Sequence, residues 1–152
     1  MAMARLMTNT VELMTQSRGL KMTAQRRAIV DYLQASVDHP TADEILQAVN
    51  RTFPMTSRAT VYNTLNWLKT AGLVKEVYEG GQVRYDPNTA PHHHFVCQSC
   101  GKVGDIDCDL LGKIQICHLP GNPQVEFYEV VVRGRCSLCA RGEPSSNNGR
   151  GV

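Results

Sequence analysis

No stretch of the 152-residue chain approaches the run of about 18 apolar residues that a membrane-crossing helix needs. The opening stretch, MAMARLMTNTVELMTQSRGL, also lacks an apolar segment of signal-peptide length. The expected location is therefore the cytoplasm, with no membrane partner. Internal repeats are absent as well, and the net charge of +2 points by itself to no class of partner. What the chain does have is 42% hydrophobic content, enough for a core in one ordinary domain or two small ones. It also has six cysteines. A reducing cytoplasm disfavours a disulfide framework, so paired cysteines there point to metal binding or redox chemistry.

Charge is withheld locally rather than globally. Acidic residues are missing from Arg18 to Val30, which holds Arg18, Lys21, Arg26 and Arg27, and again from Arg51 to Lys75, which holds Arg51, Arg58, Lys69 and Lys75. Solvated helix faces would show the same charges. Both windows, however, coincide with helix signals. TAQRRAIVDYL begins at Thr23 as an N-cap and places Ala28, Ile29, Tyr32 and Leu33 on one face. TADEILQAVN is a capping box from Thr41 to Glu44, and TSRATVYNTLNWLKTAGLV opens at Thr56 or Ser57, carries Val61, Leu65 and Leu68 along one stripe, and stops at Gly72. LVKEVYEGGQVRYD follows as a hairpin around Gly80-Gly81.

Three short helices and a hairpin spell a winged helix-turn-helix, whose last helix enters the major groove of double-stranded DNA with its first turns at the base edges. Arg58, Thr60, Tyr62 and Asn63 lie there. Arg58 suits a bidentate contact to guanine, Asn63 suits adenine, and Tyr62 suits thymine methyls or a phosphate. Arg18, Lys21, Arg26 and Lys69 are candidate phosphate contacts. A partly buried core aromatic is the alternative for Tyr62.

Beyond Asp86 the character changes. PNTAP, residues 87–91, reads as a hinge, and all six cysteines and four of the five histidines follow it. This part reads as a strand (HFVCQSCGKVGDID), a short helix (DLLGKIQI), a turn, and a long β-branched strand (VEFYEVVVRGRC). Residues 142–152 are small and polar and are expected to be disordered. Cys97-x-x-Cys100 and Cys136-x-x-Cys139 supply four thiolates, which meet the tetrahedral preference of Zn(II) and make one closed structural site. Free thiols or a redox CxxC are the alternatives; Cys108 and Cys117 have no paired neighbour and read as plain thiols. In HHHF, strand alternation puts His92 and His94 on one face and His93 on the other. With Asp86 and Asp105 they form a nitrogen and carboxylate set suited to Fe(II), Mn(II) or Zn(II).

The ordered motifs TAQR, HPTADEI, TVYNTLNWLKTAGLV, RYD, HHHFVCQSCGKV and CSLC resemble the ferric uptake regulator family of metal-dependent repressors, over about Leu20 to Cys139. The resemblance implies an α+β chain: a winged-helix DNA-binding domain over 1–86 and, after the hinge, a small α/β dimerisation domain over 92–141 with the four-cysteine zinc. It also implies a regulatory metal held by His39, Asp86, His92, His94 and Asp105, a ligand list to which spacing alone would not have added His39. A homodimer on an AT-rich palindromic operator follows. Asp86 and Asp105, where iron-sensing members usually carry Glu, resemble the peroxide-responsive (PerR) branch, in which Fe(II) promotes oxidation of ligand histidines, here His39 and His92, and Mn(II) does not. HHH also occurs in iron- and zinc-sensing members, so those remain the alternatives. A metalloenzyme activating water or a thiol oxidoreductase would leave the basic helices and the hairpin without a purpose.

Overall fold

The computed structural model describes residues 21–112 and 119–143. Arg18, Cys117, the second half of the expected helix DLLGKIQI and the tail from residue 144 lie outside the described residues. The chain divides into two compact units, Met1–Thr89 and Ala90–Val152. None of the described helices is long and apolar enough to cross a membrane.

The first unit is built from α1 (Ala24–Ala35), α2 (Ala42–Thr52) and α3 (Arg58–Thr70), followed by β1 (Lys75–Glu79) and β2 (Gln82–Asp86). Each helix starts at a hydroxyl cap that satisfies a first-turn N–H: Thr23 accepts from Arg26, Thr41 from Glu44, and Ser57 from Thr60. At α2 the Glu44 carboxylate also accepts the Thr41 N–H at 2.7 Å, completing the capping box. Gly72, with φ 70°, ends α3 in a Schellman turn: its N–H bonds the Lys69 carbonyl, and the Leu73 N–H bonds that of Leu68.

β1 and β2 pair antiparallel with Glu79 opposite Gln82, so Gly80 and Gly81 are the whole turn. Their φ values of 59° and 77° are the pair a type I′ turn demands. Helices of 11 to 13 residues are marginal alone, so packing must hold them. It does so through Ile29, Val30 and Leu33 of α1, Ile45 and Val49 of α2, Val61, Leu65 and Leu68 of α3, and Val74 and Tyr85 beyond them, all buried. β2 is fastened to the α1–α2 link by a bridge between Thr41 and Arg84 and by the Tyr85 N–H on the Pro40 carbonyl at 2.9 Å. That fastening carries His39 to the end of β2.

The second unit corrects three expectations. The single strand expected over HFVCQSCGKVGDID is two antiparallel strands, β3 (His93–Cys97) and β4 (Val103–Ile106), because the Cys-x-x-Cys turns the chain back between them. DLLGKIQI yields, among its described residues, only part of one 3-10 turn (Cys108–Leu111), which Gly112 closes at φ 66°. The long strand shrinks to β5 (Val131–Gly134), parallel to β3 at the edge of a β4-β3-β5 sheet. The Val130 N–H bonds the His93 ring, 37 positions back in the chain, at 3.3 Å, so the backbone ladder runs only from there on. A short helix α4 (Ser137–Ala140) carries the last cysteine. Among the described residues of this unit, only Val96, Cys97 and Val103 are buried apolar side chains.

Candidate functional site

The two Cys-x-x-Cys pairs converge. The four sulfurs of Cys97, Cys100, Cys136 and Cys139 lie within 4.8 Å of one another, and those of Cys100 and Cys136 are 3.9 Å apart. Tetrahedral ligands on Zn(II), at about 2.3 Å each, would sit about 3.8 Å apart, so the set fits the ion. The Cys136 N–H bonds the Cys97 sulfur at 3.3 Å. That bond, above all, lowers the Cys97 thiol to about 6, while the Cys136 thiol, beside other neighbouring sulfurs and burial, pushes Cys139 up to about 12. Negative charge thus settles first on Cys97, and the crowded remainder needs a cation to ionise with it. Four sulfurs at one point suit a structural Zn(II) and leave no isolated redox pair.

His92 and His94 form a second constellation within the same unit. The Nδ1 of His92 lies 2.9 Å from the Ala90 carbonyl, and that of His94 lies 2.5 Å from Glu129 Oε1. Both partners are acceptors, so each Nδ1 carries the proton and each Nε2 presents a lone pair. The two Nε2 atoms are 2.9 Å apart. Facing lone pairs repel; a shared ion about 2.1 Å from each relieves them at that separation. Asp105 on β4 adds a carboxylate oxygen 3.5 Å from His92 Nε2. The middle histidine departs as alternation dictates: His93 is buried and stacks on Tyr128 with ring centroids 5.7 Å apart.

His39 and Asp86 belong to the first unit, both buried, with His39 Nε2 3.5 Å from Asp86 Oδ1. Asp86 also accepts the Asn88 N–H at 2.7 Å. His39 sits at φ 49° immediately before Pro40, a left-handed backbone that a non-glycine residue adopts only when its surroundings impose it. Arg84 helps hold it: its Nη1 donates to the His39 carbonyl at 3.0 Å and lies 3.6 Å from the Glu44 carboxylate. Neither Arg84 nor Glu129 was among the sequence-derived site residues. Arg84 was findable, since it precedes Asp86 by two on a strand and so shares its face; nothing local marks Glu129.

Glu129 orients His94, so Glu129→Ala is expected to weaken Mn(II) binding about 10- to 100-fold while leaving the zinc content unchanged. Equilibrium dialysis against both metals measures this. Unaltered Mn(II) affinity would remove Glu129 from the role.

On α3, Arg58, Ala59, Tyr62, Asn63 and Asn66 are exposed along one face, opposite buried Val61, Thr64, Leu65 and Leu68. Tyr62 is 48% exposed, not a core aromatic. Thr60 is half-buried and bonds the capping Ser57 hydroxyl at 3.0 Å. Lys21 is exposed, and its carbonyl accepts from the half-buried Arg26 at 2.5 Å. Lys69 is not a free cation: its ammonium meets Glu76 at 2.6 Å, which raises its pKa, and Glu76 also accepts the Tyr78 hydroxyl at 3.1 Å. It stands about 16 Å along α3 from Arg58.

Residues 17–122 match the model of the ferric uptake regulator family. The chain belongs to the ferric uptake regulator family. It is 40% identical over 123 residues to the peroxide-responsive repressor PerR of Staphylococcus aureus (strain Mu50 / ATCC 700699), covering 80% of this chain and 83% of that one. It is 38% identical over 128 residues to the peroxide operon regulator of Bacillus subtilis (strain 168), covering 82% and 88%. Its fold matches the Helicobacter pylori ferric uptake regulator Fur with a TM-score of 0.72 at 19% identity, over 95% of this chain and 96% of that one. A member of this family is a regulator rather than an enzyme, and the four-cysteine cluster suits its structural zinc.

Proposed function

We propose that the chain is a metal-dependent transcriptional repressor that responds to hydrogen peroxide. The observation that carries the metal dependence is the pair of His92 and His94 lone pairs, 2.9 Å apart and each fixed by a hydrogen bond behind it. The peroxide reading is supported by relatives named for peroxide response at 38 to 40% identity, and by Asp105 beside His92.

In this reading residues 1–86 bind DNA, 87–91 are the hinge, and 92–141 dimerise. One regulatory ion takes His39 and Asp86 from the first part and His92, His94 and Asp105 from the second. Ligands drawn from both parts give the ion unequal affinity for different arrangements of the chain, which is what a switch requires. Moving such an equilibrium from 1:99 to 99:1 takes about 5.5 kcal/mol of differential binding, within reach of five ligands. Bound iron would supply the one-electron chemistry through which peroxide oxidises a ligand imidazole, and manganese in its place would not. By resemblance to the peroxide-responsive branch the damage would fall on His39 and His92, both buried, and an oxidised ring no longer offers the same lone pair.

In the dimer two copies of α3 meet successive major-groove turns of an AT-rich palindrome. Exposed Val131, Val132, Phe127 and Leu138 in the second unit are apolar surface for a second copy to cover. An electrophoretic mobility shift tests the proposal. The Mn(II) protein should retard an AT-rich palindromic duplex, the chelator-treated protein should not, and peroxide should release the Fe(II) form alone. Equal retardation with and without metal would sink it. Release by chelation but not by peroxide would make the chain an iron- or zinc-sensing member instead.

A further inference from the structure

We infer that Asp43 is a specificity-determining residue, which orients Arg58 for base recognition. This rests on the reading of α3 as the base-reading helix. Arg58 occupies the first position of α3, where a cation opposes the helix dipole. No acid lies in that first turn to offset it. Asp43 does so from the first turn of α2, where a carboxylate is favoured. Its Oδ1 lies 2.9 Å from Arg58 Nη1, with the side chains 54% and 67% exposed.

An ion pair so open to water adds little to folding. What it does constrain is the direction of the guanidinium. With Nη1 held, the opposite edge keeps its Nε–H and an Nη2–H, two parallel donors in the fork that matches guanine O6 and N7. An unheld arginine would also swing to phosphates, which carry no sequence information. Asp43 itself repels phosphates, so it raises discrimination from both sides. Tyr62 and Asn63, exposed on the next turn of the same face, define the neighbouring base positions against which the effect is read.

The test is selection from a duplex library with a randomised core, using the Mn(II)-loaded full chain and its variants. A bidentate contact predicts one position per half-site with about 5- to 100-fold preference for guanine, lost in Arg58→Ala. Asp43→Asn should reduce preference at that same position by about two- to fivefold, leave the other positions unchanged, and bind a non-specific duplex at least as tightly. Asp43→Glu should recover part of the preference. Thermal melts near wild type for each variant separate this from a folding defect. Full guanine preference in Asp43→Asn, or equal weakening at every position, overturns the role of Asp43 while leaving base reading by Arg58 standing. A wild-type profile in Arg58→Ala removes the base reading, and this inference with it.

Discussion

Cys136→Ser is expected to lose its zinc, fall apart to monomer and melt its second unit, while the helices of the first unit persist. The asymmetry follows from where the apolar side chains are. The first unit buries a cluster from Ile29 to Tyr85 that includes Ile45, Val61 and Leu65 at no more than 1% exposure. Among its described residues the second unit buries only Val96, Cys97 and Val103. Domains of this size are stable by about 5–15 kcal/mol, whereas a structural zinc contributes about 10–16 kcal/mol. For the second unit, metal binding and folding are therefore one event.

Cys136 is a severe place to break it, because serine keeps the backbone there but removes one of the four sulfurs, the one 3.9 Å from that of Cys100. Zinc analysis, sedimentation and circular dichroism of the variant read the three effects separately. A zinc-free Cys136→Ser protein that remains a folded dimer would show that the cluster is dispensable. Removing the regulatory metal, by contrast, should leave the dimer intact, since that ion is asked to switch the protein and not to fold it.

The parts legible in the sequence were those set by neighbours in the chain. Thr23, Thr41 with Glu44, and Ser57 cap within three residues; Gly80-Gly81 closes a turn on itself; each Cys-x-x-Cys is a local knuckle. Strand alternation likewise separated His93 from His92 and His94. What escaped depends on distant partners. Arg84 reaches back 45 positions to hold the His39 carbonyl, and Glu129 reaches 35 positions to His94. The length of β5 was misjudged for the same reason: Val, Phe and Tyr favour a strand, but the Val130 N–H is taken by the His93 ring. Lys69 shows the limit for charge, since its acid partner Glu76 lies outside the acid-free window that made it look available.

Peroxide is expected to abolish DNA binding by the Fe(II)-loaded protein and to leave the Mn(II)-loaded protein bound. The balance is simple: hydrogen peroxide loses one oxygen and leaves as water, and one imidazole carbon–hydrogen bond is oxidised, so the peptide gains the mass of a single oxygen. His39 and His92 are the expected recipients. His92 is fixed on the Ala90 carbonyl with Asp105 3.5 Å from its free nitrogen, and His39 is clamped through its own carbonyl by Arg84. The resemblance to the peroxide-responsive branch selects these two; His94, bonded to Glu129, belongs to the same ligand set and should stay unmodified. His93, stacked on Tyr128 and bonded to the Val130 N–H, faces elsewhere and should stay unmodified, an internal control in the same peptide as His92. Asp105→Glu extends the carboxylate arm by one methylene, so it should keep Mn(II)-dependent DNA binding and lose much of the peroxide response. Peptide mass spectrometry beside mobility shifts decides the matter. Unmodified histidines and retained DNA binding in the Fe(II) protein after peroxide would assign the site to metal sensing alone, whereas oxidation confined to His39 or His92 would make those two imidazoles the sensor.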